Sequence, residues 1–339
     1  MSNLWETRID GRTGEIYDKP RRLTKWAGLS ASGLSATADG KRVAFRKSTH
    51  LSSVYVAQVE GNGRQISEPK RLMLTESWDH PTAWTPDSKA VLFFSDRKGH
   101  GNIFKQSLGA DTAEQIETGP GEAIIPRVSP DGLWLLYLVY PKDRDSSAPV
   151  KIMRVPIAGG PPQLVLAAQI VDTHRCAKAP GSMCAIAERS PDRRQLIFTV
   201  FDPVAGRGRE LTRFDTDPNA DYIWDLSPDG TRLAVRNRSE QQRIHIVSLN
   251  GHAPQEFTVK GWTLGDDGMD WTADGKSLLV SSPTPVGVAL LRTDLQGNAN
   301  VLWEQKGGIV TWGIPSPDGR HLAMPGNTQN SNVWMLENF

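Results

Sequence analysis

The sequence predicts an all-β fold, a seven-bladed β-propeller of four-stranded antiparallel blades, on three observations. A turn of the form Ser/Thr-Pro-Asp-Gly recurs along the whole 339-residue chain, alternating apolar runs flank each copy, and the spacing of the copies is nearly constant. Four short strands per period cannot bury both faces of one unit, so such units pack radially around an axis.

The turn fixes the register of everything else. Plain copies centre on Asp39, Asp87, Asp131, Asp229, Asp274 and Asp318, at separations of 48, 44, 98, 45 and 44 residues. The gap of 98 is two periods, and Lys178-Ala179-Pro180-Gly181 divides it evenly, whereas Ser190-Pro191-Asp192 does not and reads as an ordinary later turn. Two residues before the centre stand Thr37, Thr85, Ser129, Lys178, Ser227, Thr272 and Ser316, so six of seven carry a hydroxyl able to bond turn backbone. Asp accepts from nearby N–H groups, Pro presets φ, and Gly supplies the positive φ of a bulged type I hairpin turn.

Strands follow in order from each turn. An inner strand ends three residues before the centre at Ala36, Trp84, Val128, Ala177, Leu226, Trp271 and Pro315, and a second begins with alternating pairs such as Val43/Phe45, Leu135/Tyr137 and Leu322/Met324. Third strands read Val54-Tyr55-Val56, Asn102-Ile103-Phe104 and Val333-Trp334-Met335, and fourth strands Arg71-Leu72-Met73-Leu74, Gln163-Leu164-Val165 and Val301-Leu302-Trp303.

One closed domain over 1–339 is the expected organisation, with 1–19 an additional strand and connection and 20–339 the seven blades. The last unit lacks a fourth strand, and Pro20-Arg21-Arg22-Leu23-Thr24 resembles Pro69-Lys70-Arg71-Leu72, so residues 20–26 are expected to complete the last blade and leave the ring without edges. Asn3-Leu4-Trp5-Glu6 then reads as a surplus third strand that either displaces its C-terminal counterpart or hangs outside, and it suggests a chain cut from a longer protein.

Composition narrows the function classes. With 39 basic against 38 acidic residues there is no electrostatic case for nucleic acid, and no apolar run reaches the 18 or more residues of a membrane-spanning helix, so direct membrane insertion is not expected. The start carries no basic-then-apolar export segment, which leaves the compartment open. Cys176 and Cys184 sit four residues either side of the fourth turn centre, where a hairpin places them opposite each other at a separation a disulfide accepts. An oxidising compartment predicts a bond and a reducing one a buried thiol pair; no His or carboxylate cluster joins them at metal-ligand spacing.

Trp84-Thr85-Pro86-Asp87-Ser88-Lys89-Ala90-Val91-Leu92-Phe93-Phe94 and Ser129-Pro130-Asp131-Gly132 resemble the WD40-like, TolB-type (PD40) propeller repeat, over residues 20–336. The likeness extends to the propeller before the peptidase domain of dipeptidyl peptidase IV and to C-terminal propellers of bacterial multidomain regulators and kinases. It implies a protein-binding or sensory role and supplies no cofactor.

The chemistry is sparse. A serine hydrolase of the peptidase kind needs a Gly-x-Ser-x-Gly elbow, and Gly28-Leu29-Ser30-Ala31-Ser32 lacks the closing Gly. Connections from each fourth strand to the next inner strand converge on one face and carry Glu76, Asp79, Glu122, Asp172, Asp217, Asp221, Asp266 and Asp267, with Asp225 and Asp270 just inside and Trp78, His80, Trp224, Trp262 and Trp312 alongside. The expectation is an acidic, Trp-lined mouth for a protein, peptide or small cationic ligand, with Arg127 and Arg175 supplying internal ion pairs. The reading is therefore a non-catalytic interaction or sensing module without metal or cofactor; the alternatives are a metal-assisted lyase or hydrolase using the channel, or an accessory propeller of a peptidase.

Overall fold

The computed structural model describes every residue except 1–3, 25–28, 74, 76, 142–147, 170, 266–267, 309–310 and 338–339. The chain divides into two compact units, one of residues 52–326 and one combining 1–51 with 327–339.

Residues 52–326 form the propeller. Blade one is Asp79–Trp84, Ala90–Ser95, Asn102–Ser107 and Glu114–Gln115; blade two is Glu122–Val128, Trp134–Tyr140, Val150–Pro156 and Gln163–Ala168. Blade three is Val171–Cys176, Cys184–Arg189, Gln195–Asp202 and Gly206–Asp215, and blade four is Tyr222–Leu226, Arg232–Asn237, Arg243–Ser248 and Gln255–Thr258. Blade five is Met269–Trp271, Ser277–Thr284, Gly287–Asp294 and Ala299–Lys306. Blade six takes Ile314–Pro315 and the first part of His321–Glu337 from one end of the chain, and the second part of Arg42–Glu60 with Lys70–Arg71 from the other. Each inner strand packs against the next, and the sixth against the first, so six antiparallel sheets close around a channel.

The expected propeller class is the fold observed, and all seven turn hairpins form. The two chain ends are shared out differently from the expectation. Arg21–Arg22 pairs with Trp5–Glu6 and not with the final strand, so residues 20–26 do not supply a fourth strand there, and residues 25 and 26 lie outside the described residues. Closure instead joins residues 52–71 to 314–326, with the Val59 N–H donating to the Arg320 carbonyl at 2.8 Å. The physical reason is visible in the residues 46–53, Arg-Lys-Ser-Thr-His-Leu-Ser-Ser, which contain no Gly, Pro, Asn or Asp to turn the chain. Expected second and third strands therefore run together as Arg42–Glu60. His321–Glu337 likewise continues past Pro325-Gly326, where the Tyr55 ring lies so close to Gly326 that a side chain there would collide with it.

The seventh hairpin, Leu29–Ala36 with residues 43–49, belongs to the other unit. That unit is held by the Trp5–Glu6 pairing, by Leu4 N–H donating to the Thr24 hydroxyl at 2.9 Å, by an Arg42–Glu337 ion pair at 3.0 Å and by Lys47 over the Trp334 ring at 3.9 Å.

The core of the propeller sits between blades. Leu136, Leu138 and Ile152 of blade two pack with Cys184 and Ile186 of blade three, and Trp271, Leu278 and Leu291 of blade five with Ile223, Ala234 and Ile246 of blade four. Tryptophans that end two inner strands tie neighbours together, the Trp84 indole donating to the Ile314 carbonyl at 2.8 Å and the Trp271 indole to the Asp225 carbonyl at 3.3 Å.

The turn chemistry repeats. The hydroxyl donates to the Asp carboxylate at 2.5 to 2.6 Å in Thr37–Asp39, Thr85–Asp87, Ser129–Asp131, Ser227–Asp229, Thr272–Asp274 and Ser316–Asp318. The same carboxylates accept backbone N–H groups two residues on, for example Lys89 at 3.1 Å and Arg320 at 3.0 Å. Gly follows the Asp at φ between 64° and 74° in five of these turns, while Ser88 takes that place at φ 61°. Strain at Ser88 is compensated by its hydroxyl, which accepts the Asp318 N–H of blade six at 3.1 Å. Ser190–Asp192 makes the same hydroxyl-to-carboxylate bond at 2.6 Å in an outer turn of blade three.

Candidate functional site

The inner strands aim their side chains into the channel, and small irregularities decide which. In blade two the register slips between Ile124 and Arg127, and Ile125 takes φ 54°, a conformation β-branched residues avoid. This bulge turns Arg127 inward, where it donates to the Thr82 carbonyl of blade one. Blade three contributes Arg175, whose Nε donates to Asp225 of blade four at 2.9 Å, so the internal pairing expected for Arg175 is present. Asp225 also accepts the Trp271 N–H of blade five at 2.8 Å, so both of its oxygens are bonded. Asp270 of blade five completes the waist.

Thr82, Arg127, Arg175 and Asp270 line both of the cavities in the channel, one at each end. The cavity on the turn side, about 190 Å³, adds Lys178, Trp84, Trp271 and prolines 86, 130, 228, 315 and 317. The cavity on the opposite side, about 230 Å³, adds His80, Tyr222, Trp224, Arg238 and Trp312.

Burial and charge set the protonation states. Burial, reinforced by Asp225, pushes Asp270 up to about 7 against the pull of Arg127, Arg175 and Lys178. Burial followed by repulsion from Arg175 lowers Arg127 to about 10, which leaves it cationic at neutral pH. Lys178 is lowered by burial and supported by Asp225 and Asp270. His80 falls to about 3 through burial and then Arg127, so its ring is neutral.

Of the side chains expected at the mouth, the structure gathers a part. His80, Trp224, Asp270 and Trp312 line the cavity on that side, and Trp78 packs on His80 with centroids 4.9 Å apart and the rings tilted by 46°. His80 in turn contacts Phe94 at 4.7 Å and Trp312 at 4.6 Å, forming an aromatic cluster. Asp225 faces the turn-side cavity instead. Asp79 is fully buried and engaged by Arg97 at 2.8 Å, Ser77 at 2.9 Å and Thr75 at 2.5 Å. Asp221 lies exposed outside the cavity, paired with Arg189 at 3.4 Å and Arg193 at 3.9 Å, and Glu122 starts the inner strand of blade two and lines a different pocket, with His100 and Lys151. Glu76, Asp266 and Asp267 lie outside the described residues. The cavity thus carries one described carboxylate, Asp270, beside Arg127, Arg175 and Arg238. Among the described residues no group of three or more His, Cys, Asp or Glu side chains is arranged to hold a metal ion.

Lys178 is the residue the sequence reading passed over. It stands in the hydroxyl column of the repeat as the single exception, and that exception was the available signal. Its backbone N–H donates to the Pro228 carbonyl of blade four at 2.8 Å, and its Nζ reaches across the ring to the Pro315 carbonyl of blade six at 3.2 Å. Its own turn is one residue longer than the others, with Ala177 N–H bonded to the Met183 carbonyl, and Cys176 and Cys184 stand directly opposite and are joined by a disulfide.

No family model matches the sequence, and no curated protein does. Solved structures do. A protein described as a TolB from Agrobacterium tumefaciens aligns with a TM-score of 0.60 at 20% identity, covering 82% of this chain and 99% of that one. TolB from Acinetobacter baumannii aligns at 0.53 and 17% identity, covering 82% and 80%. A puromycin-hydrolyzing peptidase from Mycobacterium tuberculosis aligns at 0.51 and 11% identity, covering 87% of this chain and 58% of that one. At these identities the likeness is one of fold, and the fold of this chain is the TolB-type β-propeller.

Proposed function

We propose that this chain is a non-catalytic interaction module that takes a protein segment or peptide into a mouth of its central channel. The observation that supports the reading is the pair of cavities at the two ends of one channel, bounded by side chains from all six blades. With three guanidinium groups beside one carboxylate on the strand-four side, charge places no cationic requirement on the ligand there.

The test is a random peptide library selected on the immobilised protein and rebound to three variants. Ala179→Trp fills the turn-side mouth and Trp78→Ala strips the aromatic cluster on the other, whereas Val204→Ala alters an exposed side chain in an outer turn of blade three. Selected peptides are expected to lose binding to one of the first two and keep it with the third. Equal binding to all three would place the ligand on the outer surface and end the proposal.

A further inference from the structure

The two mouths differ in what they offer a ligand, and the turn-side one is specific. Lys178, Arg127 and Arg175 converge on it against two carboxylates. One of these, Asp225, is already paired with Arg175 and accepts the Trp271 N–H. The other, Asp270, is raised to about 7 by burial and so carries only part of a negative charge near neutral pH. Positive charge is therefore in surplus in a closed space, where each unit counts for more than on a surface.

Donors are also in surplus. An ammonium has three N–H groups, and the described partners of Lys178 account for one, the Pro315 carbonyl, which is a neutral acceptor. No described carboxylate lies within ion-pair distance of Lys178 or Arg127. The Arg127 Nε is buried with no hydrogen-bond partner. Buried donors left open in this way are costly unless something accepts from them. Most of the remaining wall is apolar, formed by prolines and by Trp84 and Trp271, with Thr82 and Ser129 among them.

From this juxtaposition we propose that the turn-side mouth binds a carboxylate carried by an extended peptide, with Lys178 and Arg127 donating hydrogen bonds to it and the proline and tryptophan wall packing the neighbouring residues. The proposal rests on the interaction-module reading and names the ligand chemistry of one of its two mouths. A peptide carboxylate has two sources, the chain terminus and an Asp or Glu side chain, and both offer the same paired acceptors to these donors. Among the described bonds the Lys178 ammonium makes one across the ring, to the Pro315 carbonyl, so an entering carboxylate offers it a charged partner in place of a neutral one.

Peptides selected as above and lost on Ala179→Trp are resynthesised in three forms: unaltered, with an amidated C-terminus, and with each Asp or Glu replaced by its amide. Titrations follow the intrinsic fluorescence of the protein at low and moderate salt. At least a tenfold loss is expected for one of the two modified forms, which identifies the source of the carboxylate. A similar loss is expected with Lys178→Met, and Lys178→Arg retains most of the affinity. A thermal melt of Lys178→Met confirms that the variant is folded. If neither modification weakens binding, or if Lys178→Met binds as well as the parent, the inference is overturned while the interaction-module reading survives. If no selected peptide responds to either mouth variant, both fall together.

Discussion

The turn face and the channel waist use the same residue types in opposite ways. At the turns, Asp is exposed or nearly so and is held low, at Asp39, Asp87 and Asp192 chiefly by the hydroxyls of Thr37, Thr85 and Ser190 and then by backbone N–H groups. At the waist, Asp270 is pushed up by burial and set among Arg127, Arg175 and Lys178. The first arrangement stabilises a hairpin and repeats wherever a hairpin is needed. The second costs stability and occurs once among the described residues, which is the mark of a feature kept for something other than folding. Blade three is where the two meet, since its turn gives up the hydroxyl and the Asp, sends a lysine to the waist and is closed by the Cys176–Cys184 disulfide.

The sharpest test of this contrast is the pH dependence of Asp270→Asn. The folded pKa of Asp270 lies above its unfolded value, so between the two the folded state holds the extra proton and stability falls as pH rises. The variant lacks this loss. Its stability advantage should therefore open between about pH 4 and pH 7, at roughly 1.4 kcal/mol per pH unit at most, and stay constant above. A difference independent of pH in urea titrations would show that Asp270 ionises normally and that waist and turns are not opposites.

Next in size is the disulfide. Closing a loop of this length is worth about 2 to 3 kcal/mol, so Cys176→Ser should lower the urea midpoint accordingly. No change would mean that the longer turn of blade three holds by itself. Smaller again are the turn hydroxyls. Thr85→Val should cost about 1 kcal/mol by removing the bond to Asp87 and the one from the Ala90 N–H. Lys178→Met, at the equivalent position, should cost less than half of that, because Lys178 caps no turn. Equal losses at the two positions would make the lysine a turn residue after all. The smallest effect concerns Ser88. Ser88→Gly relieves the positive φ and forfeits the bond from Asp318, leaving stability within about 0.5 kcal/mol, whereas Ser88→Ala forfeits the bond and keeps the strain, at about 1 kcal/mol. The order of the two melting temperatures reads the balance directly.

How much of this was legible in the sequence follows from how local each cause is. The turns were legible because Thr85, Asp87 and Lys89 interact within five residues, and any such stretch shows its purpose in one reading. The propeller class followed from their spacing. The ends were not, because the length of Arg42–Glu60 depends on the absence of a turn former between Arg46 and Ser53, and an absence draws less notice than a motif. Likewise the direction of Arg127 depends on a bulge at Ile125, which no propensity marks, and Asp79 was spent on Arg97, a partner 18 residues away. Lys178 was the reverse case: visible as the odd member of a column, but readable as a channel residue only once blades three and six faced each other.

The shared sixth blade also sets a timetable for synthesis. Its outer strands leave the ribosome among the first quarter of the chain, yet their partners, residues 314–326, emerge almost last. Until then the strand Arg42–Glu60 presents an unmatched edge to every neighbouring nascent chain, and a polypeptide halted before Gly326 keeps that edge for good.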